Sequence, residues 1–197
     1  MSRALSAVIV SGLVVACTSG ARDATGPFEV PVFSHASNAA ENANGGNFGT
    51  PLSGDEEVPA RPTQARGSAI FQLNAEGDAL TYQLMVANIE NVFQAHIHRG
   101  AVGANGGIVV WLYPSTAPVA GPLGQGRIDG VIAEGTITAA TLVGTLAGEP
   151  LSALLVELMT GNAYVNVHTN DGVGATNTGP GDFPGGEIRG QVEHRGH

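Results

Sequence analysis

The chain is short of cysteine and of basic residues. Cys17 is the only cysteine among 197 residues, so no disulfide can form within the chain and the rest of it has no thiol for catalysis. Lysine is absent, and 8 arginines stand against 17 acidic residues, for a formal net charge of −9. A domain this acidic lacks the positive surface that attracts nucleic acid or anionic membranes. The composition excludes nucleic-acid partners and favours solubility outside the cytoplasm.

The N-terminus has the layout of an export signal. Arg3 gives a short positive start, and residues 4–16 form an apolar run too short to span a bilayer. Residues 14–17, Val-Val-Ala-Cys, resemble the lipobox of bacterial lipoproteins. We therefore predict lipidation at Cys17 and a lipid-anchored, extracytoplasmic protein of the bacterial cell envelope, in the outer membrane if the host is Gram-negative. An ordinary secretory signal with an incidental cysteine is the alternative.

Behind this signal, which we place at residues 1–17, the composition changes twice. Residues 18–49 are rich in Ser, Ala, Asn and Gly without a sustained period, which predicts a flexible tether because such a segment buries too little apolar surface to order itself. Residues 50–197 have the usual length of one domain and are long enough for a hydrophobic core. The expected organisation is one globular domain on a membrane tether.

The sequence pattern of the domain predicts mostly β structure. Short runs of alternating or continuous apolar character, separated by Gly and Pro clusters, predict strands, at residues 67–73, 80–86, 92–98, 108–113, 126–133, 163–169 and 187–193. Residues 108–113 are continuously apolar, which predicts a central strand covered on both faces.

One segment departs from this pattern and predicts a helix. Four leucines at i, i+3, i+4 and i+7 follow Pro150 and precede Gly161, which is the pattern of a short amphipathic helix with a glycine stop. About seven or more strands with Gly-rich turns and one short capping helix predict an all-β, Greek-key β-sandwich. An up-and-down barrel is the second possibility.

Two predicted strands carry histidines in a suggestive arrangement. His96 and His98 lie two residues apart on one strand and must share a face, and His168 lies on another strand. Neutral imidazole suits Cu and Zn, and a rigid sheet fixes the positions of the ligands. The three histidines are therefore candidate ligands for Cu or Zn. The alternative is that they are structural and donate to backbone carbonyls or carboxylates.

Three further residues are assigned a structural or supporting role. Because side chains alternate between the two faces of a strand, Asn166 is expected on the same face as His168. Glu187 and Arg189 are expected together on one face of the last predicted strand. Glu187 and Arg189 are expected to pair with each other or with Asn166 and to fix the strand register. The functional alternative is that Glu187 orients a metal-bound histidine by accepting its second ring proton.

Four blocks of the chain together resemble the CHRD domain, which is named for chordin and also occurs alone in secreted microbial proteins. The blocks are residues 54–59, 95–107, 161–169 and 185–191. The resemblance implies an extracellular β-sandwich without a settled biochemical activity. Chordin's growth-factor contacts depend on cysteine-rich modules that a chain with one cysteine lacks.

These observations favour a membrane-anchored binding or structural module whose loops engage a protein or a glycan. No nucleophile elbow, phosphate-binding loop or H-E-x-x-H motif occurs, so we expect no enzyme. The alternative is a copper- or zinc-binding domain, as a carrier or a redox protein. Its H-x-H strand resembles that of Cu/Zn superoxide dismutase, although the dismutase disulfide is impossible here.

Overall fold

The computed structural model describes residues 46–115 and 120–195. The predicted signal, Cys17 and nearly all of the predicted tether lie outside these residues. Within them, nine strands and one α-helix follow in sequence. They are β1 (Asn47–Ser53), β2 (Arg66–Leu73), β3 (Leu80–Glu90), β4 (Val92–Arg99), β5 (Gly107–Tyr113), β6 (Arg127–Ile137), α1 (Leu151–Met159), β7 (Ala163–Thr169), β8 (Ile188–Gln191) and β9 (Glu193–His194).

The strands form one antiparallel sheet that nearly closes on itself. Its order is β5-β4-β7-β8-β1-β2-β3-β6, with β9 added beside β1, and the two end strands β5 and β6 contact each other. The core lies between the half that contains β4 and β7 and the half that contains β2 and β3. Tyr82 of β3 crosses this space and donates a 2.8 Å hydrogen bond to the carbonyl of Leu112 in β5. The predicted all-β fold with one short helix is confirmed.

The predicted helix and most predicted strands occur where the sequence pattern places them. α1 begins after Pro150, and its leucines pack into the core as the spacing predicts. β1 was not among the predicted strands. It begins at Asn47, within the last three residues of the predicted tether, and pairs with β2 along its whole length. Its sequence, NFGTPLS, contains glycine and proline and shows no clean alternation, so its strand character depends on the pairing with β2.

The prediction of a central strand at residues 108–113 is wrong. β5 is an end strand of the sheet and pairs along its length only with β4. Its other edge is bonded instead by the segment after β6, where the amide of Val143 donates to the carbonyl of Val109 at 2.9 Å. A continuous apolar run shows that both faces meet protein, but the covering element need not be a strand.

Glycine is required where β8 approaches β1. A Cβ atom at Gly190 would overlap the carbonyl oxygen of Pro51. Any larger residue would push these strands apart, and β8 is the strand that joins the two halves of the sheet.

Among the described residues, no helix is long and apolar enough to cross a bilayer.

Candidate metal centre

The site is built on the outer face of the sheet, on the side opposite the core. In β4, Ala95 and Ile97 point inward and are fully buried, so His96 and His98 point outward. β7 runs antiparallel beside β4, with Asn166 opposite His96. The outward face of β4 and β7 is therefore polar along its length, and the alternation predicted from the sequence is present in both strands.

The strand register brings the third histidine to the first two. His168 lies opposite Gln94, two residues along the strands from the pair formed by His96 and Asn166 and on the same face. Nδ1 of His96 is 3.2 Å from Nε2 of His168, and one ring nitrogen from each of the three histidines lies within 4.8 Å of the others. All three are buried, with 0%, 8% and 6% of the surface of His96, His98 and His168 exposed. The structure thus gathers the three histidines that the sequence singles out.

Backbone carbonyls fix the tautomer of two of the imidazoles. Nδ1 of His98 is 3.0 Å from the carbonyl oxygen of Gly106, and Nδ1 of His168 is 2.9 Å from that of Pro184. A carbonyl oxygen accepts hydrogen bonds and cannot donate them. Nδ1 therefore carries the proton in each neutral ring, and Nε2 keeps its lone pair. Nε2 of His98 has no hydrogen-bond partner. Nε2 of His98 is therefore free to coordinate an ion, and Nε2 of His168 would exchange its hydrogen bond with Nδ1 of His96 for the ion.

The cluster is held in its uncharged form. Burial lowers the pKa of His96 to about 2, and the neighbouring His168 and His98 lower it further. Burial also lowers the pKa of His168 to about 4 and lowers the pKa of His98. Since a metal ion binds neutral imidazole, the rings need not lose a proton at neutral pH before they coordinate.

Aromatic rings surround the histidines. The ring of Trp111 in β5 meets His96 edge-on at a centroid distance of 4.3 Å, and Phe93 meets His168 edge-on at 6.3 Å. Tyr164 stacks on His98 with centroids 4.9 Å apart and planes 5° from parallel. These rings lock the imidazole orientations and keep water away. Trp111 is the only tryptophan of the chain, so its fluorescence reports on this site.

The Gly-rich loop at residues 99–107 is clamped over the site by Arg189. The guanidinium carbon lies 3.5 Å from the Tyr164 ring centroid, and the group donates to Oδ1 of Asn105 at 3.1 Å and to the carbonyl of Ala104 at 2.9 Å. Gly106 accepts from His98 and donates its amide to the Tyr164 hydroxyl. A Cβ atom at Gly106 would overlap the carbonyl of Arg99. This turn therefore needs glycine, and it carries the carbonyl that orients His98.

A buried carboxyl adjoins the centre through Asn166. The side-chain amide of Asn166 donates to both carboxyl oxygens of Glu57 at 3.1 Å, while Oδ1 of Asn166 is buried without a partner. Burial raises the pKa of Glu57 to about 7, against the opposing effects of Arg189 and Arg61. Asn166 thus links Glu57 to the face that carries the histidines.

Glu187 occupies a separate network. Its two oxygens accept from the hydroxyls of Thr63 and Thr169, each at 2.6 Å, and from the amide of Gly181 at 2.8 Å. These bonds tie the long loop at residues 170–187 to the sheet. Arg189 lies opposite Asn166 in the β7–β8 register, whereas the carboxylate of Glu187 bonds to two hydroxyls and an amide. In the part of the chain that the structure describes, the expected pairing of Glu187 with Arg189 or Asn166 is not found, because this loop network takes up its carboxylate.

The histidine cluster fits a transition-metal ion. Two nitrogens that each bind one ion at about 2.0 Å are separated by about 3.3–3.5 Å in tetrahedral or trigonal geometry, and the 3.2 Å between His96 and His168 is close to this span. Within the described residues the group of potential ligands contains three imidazoles and no carboxylate. Such a donor set suits Cu or Zn better than Ca²⁺ or Mg²⁺, which prefer oxygen.

The sequence places Tyr164 on the face of His168 by alternation, but it does not identify Trp111 or Glu57 as parts of this site. Trp111 is carried to His96 by the β4–β5 register, and Glu57 lies in the segment between β1 and β2, far from β7 in sequence. The presence of a single tryptophan was the only local signal. Long-range pairing decides these contacts, and strand periodicity gives the face of each side chain but not which strands become neighbours.

Fold and site together define an all-β domain with a buried histidine cluster on the outer face of its sheet. The CHRD domain model matches residues 48–192, from within β1 to just beyond β8. The chain belongs to the CHRD-domain family. A search of curated proteins found no match.

Proposed function

We propose that this CHRD domain is a cell-envelope binding module whose ligand is a copper or zinc ion held by His96, His98 and His168. Membership of the family supports a binding or structural module. The observation that carries the metal proposal is the convergence of three ring nitrogens from two strands within 4.8 Å. Metal carriage or storage is the function that this geometry supports best.

The hydrogen bonding of the rings favours a ligand site over a purely structural cluster. A buried polar atom without a partner costs about 1–3 kcal/mol, and Nε2 of His98 and Nε2 of His96 are such atoms. An ion would satisfy Nε2 of His98 and would replace the hydrogen bond between His96 and His168. His96 would then coordinate through Nδ1 and move its proton to Nε2, with no change in the charge of the ring.

We also propose that the module is anchored in the envelope through a lipid on Cys17. The support is the apolar run that meets the only cysteine of the chain, in a segment ahead of the matched domain. More than one acyl chain is needed for stable anchoring, and a bacterial lipoprotein carries several. Replacing Cys17 by Ser should abolish labelling by a palmitate analogue and move the protein out of the membrane fraction. Unchanged labelling would remove the anchor from the proposal.

The metal proposal is tested by elemental mass spectrometry on the full chain. We expect about one Cu or Zn per chain in the natural protein, and a near-complete loss in the His96→Ala/His98→Ala double variant. His194→Ala is the matched control, because His194 is exposed and lies outside the cluster. It should retain the metal. Circular dichroism establishes whether each variant is folded.

A second measurement does not depend on the double variant. Cu(II) added to the natural chain should quench Trp111 fluorescence up to one equivalent, because that ring contacts His96. An absence of metal in the natural protein together with an absence of saturable quenching would contradict the proposal. Metal that persists in a folded double variant would move the site elsewhere.

A further inference from the structure

We propose that the histidine centre is selective for monovalent copper, Cu(I), over Cu(II) and Zn(II). This inference rests on the proposed function and specifies which ion and which oxidation state the site takes. It follows from the charges around the cluster, from its burial and from the number of donors that it supplies.

The donor set brings no negative charge to the ion. The three ligand candidates are imidazoles, and within the described residues the ligand group includes neither carboxylate nor thiolate. All three rings are at least nine-tenths buried. The charge of the ion would therefore remain uncompensated by its ligands in a site largely shielded from water.

The carboxyl groups next to the cluster are bonded to other groups and are not part of its set of ligands. Glu187 is directed toward Thr63, Thr169 and the amide of Gly181. Glu57 is bound by the amide of Asn166. Arg189, in contrast, places its guanidinium on the Tyr164 ring that stacks on His98. A positive group thus approaches the centre through a single aromatic ring.

Burial under these conditions penalises a divalent ion most. The cost of moving an ion from water into a medium of low polarity rises with the square of its charge, so a monovalent ion incurs about a quarter of the cost of a divalent one. The aromatic rings of Trp111, Phe93 and Tyr164 reinforce this preference because they offer no charge and exclude water.

The number of donors points the same way. Structural zinc sites are almost always four-coordinate, whereas a filled-shell Cu(I) ion is satisfied by a small planar set of nitrogen donors. The cluster offers one such set, with Nε2 of His98 and of His168 oriented by backbone carbonyls. Zn(II) or Cu(II) would need an additional ligand drawn into a buried position.

The test is a set of competition titrations on the full chain. Cys17→Ser is present in every sample, because a free thiolate would itself bind Cu(I). Cu(I) affinity is measured anaerobically against bicinchoninate, and Cu(II) and Zn(II) affinities against nitrilotriacetate. We expect the Kd for Cu(I) to be at least 100-fold lower than that for either divalent ion. Equal or tighter binding of Cu(II) or Zn(II) would overturn the inference.

A change of charge at one position tests the physical cause. Asn166 lies opposite His96 and donates to both carboxyl oxygens of Glu57, so Asn166→Asp is made together with Glu57→Gln, which places a carboxylate beside the centre without a second carboxyl to share its proton. The ratio of Cu(II) Kd to Cu(I) Kd should fall at least tenfold. Gln72→Glu makes the same amide-to-carboxylate change at an exposed position of β2 and should leave the ratio unchanged. Equal ratios in all three folded proteins would show that local charge does not set the preference.

The outcomes separate this inference from the proposed function. If no ion binds through the histidines, the proposed function itself fails. If Zn(II) or Cu(II) binds at least as tightly as Cu(I), with loss in His96→Ala/His98→Ala, the metal site stands and only the selectivity for Cu(I) is rejected.

Discussion

The two faces of the β4–β7 pair are equally well buried and entirely different in chemistry. The inner face carries Ala95 and Ile97 opposite Val167 and Val165, all fully buried. The outer face of the same strands carries histidine, tyrosine and asparagine, also buried. The inner face is covered by the other half of the sheet, the outer face by loops with directional backbone groups. Burial alone therefore does not distinguish a hydrophobic core from a binding site. The chemistry of the groups that cover each face distinguishes them.

The pH dependence of stability should separate the two faces most strongly. His96 and His168 have their pKa values lowered to about 2 and about 4, so they remain neutral in the folded chain as the pH falls below 6.5 while the unfolded chain takes up protons. Each should reduce the free energy of unfolding by up to about 1.4 kcal/mol per pH unit. Urea unfolding of the metal-free chain from pH 7 downward measures this loss.

Glu57 has the opposite effect to the histidines on the pH dependence of stability, so a variant at this position serves as the control. Its pKa of about 7 lies above the ordinary 4.5, so its folded form binds a proton earlier and gains stability as the pH falls between these values. Glu57→Gln should steepen the loss below pH 6.5, and His96→Gln should flatten it. Parallel pH curves for all three proteins would contradict the assignment of the loss to the outer face.

Truncation on the inner face should affect stability without affecting the metal. Ile97 is fully buried between the two halves of the sheet, so Ile97→Ala should lower the free energy of unfolding by about 3 kcal/mol through lost burial and a cavity. Chemical denaturation measures the change, and the metal content of the folded fraction should stay at the natural value. Lost metal in a folded Ile97→Ala protein would show that the two faces are not independent.

A change to the clamp over the outer face should have a smaller effect. Arg189→Lys keeps the charge but removes the planar guanidinium group. That group donates hydrogen bonds to Asn105 and Ala104 and stacks on the ring of Tyr164. We expect a loss of about 2 kcal/mol in the free energy of unfolding and faster amide exchange at Gly106. Protection of that amide at the natural level would show that Arg189 does not hold the loop.

The smallest effect is expected for one hydroxyl. Tyr164→Phe removes the acceptor of the Gly106 amide but retains the ring that stacks on His98. The expected cost is about 1 kcal/mol in thermal or chemical unfolding, with metal stoichiometry unchanged. A decrease in the free energy of unfolding as large as that for Arg189→Lys would show that this hydroxyl, rather than Arg189, holds the loop at residues 99–107.

Much of the site was predictable because its central signal is local. The H-x-H spacing fixes His96 and His98 on one face, and the alternation in β7 places His168 with Asn166. The positions of most strands and of α1 also followed from periodicity. The strand β1 did not, because its residues have little alternation of their own, and the edge position of β5 did not, because an apolar run does not identify what covers it.

The sequence by itself determined the faces of the strands, the all-β class and the likeness to the CHRD domain, because period-two alternation and short motifs are properties of neighbouring residues. The tertiary structure decided that the polar face is buried, that His168 reaches His96, and that the carbonyls of Gly106 and Pro184 orient two imidazoles. These features depend on which strands pair and on loop closure over long separations, whereas side-chain alternation determines only the face on which each residue lies.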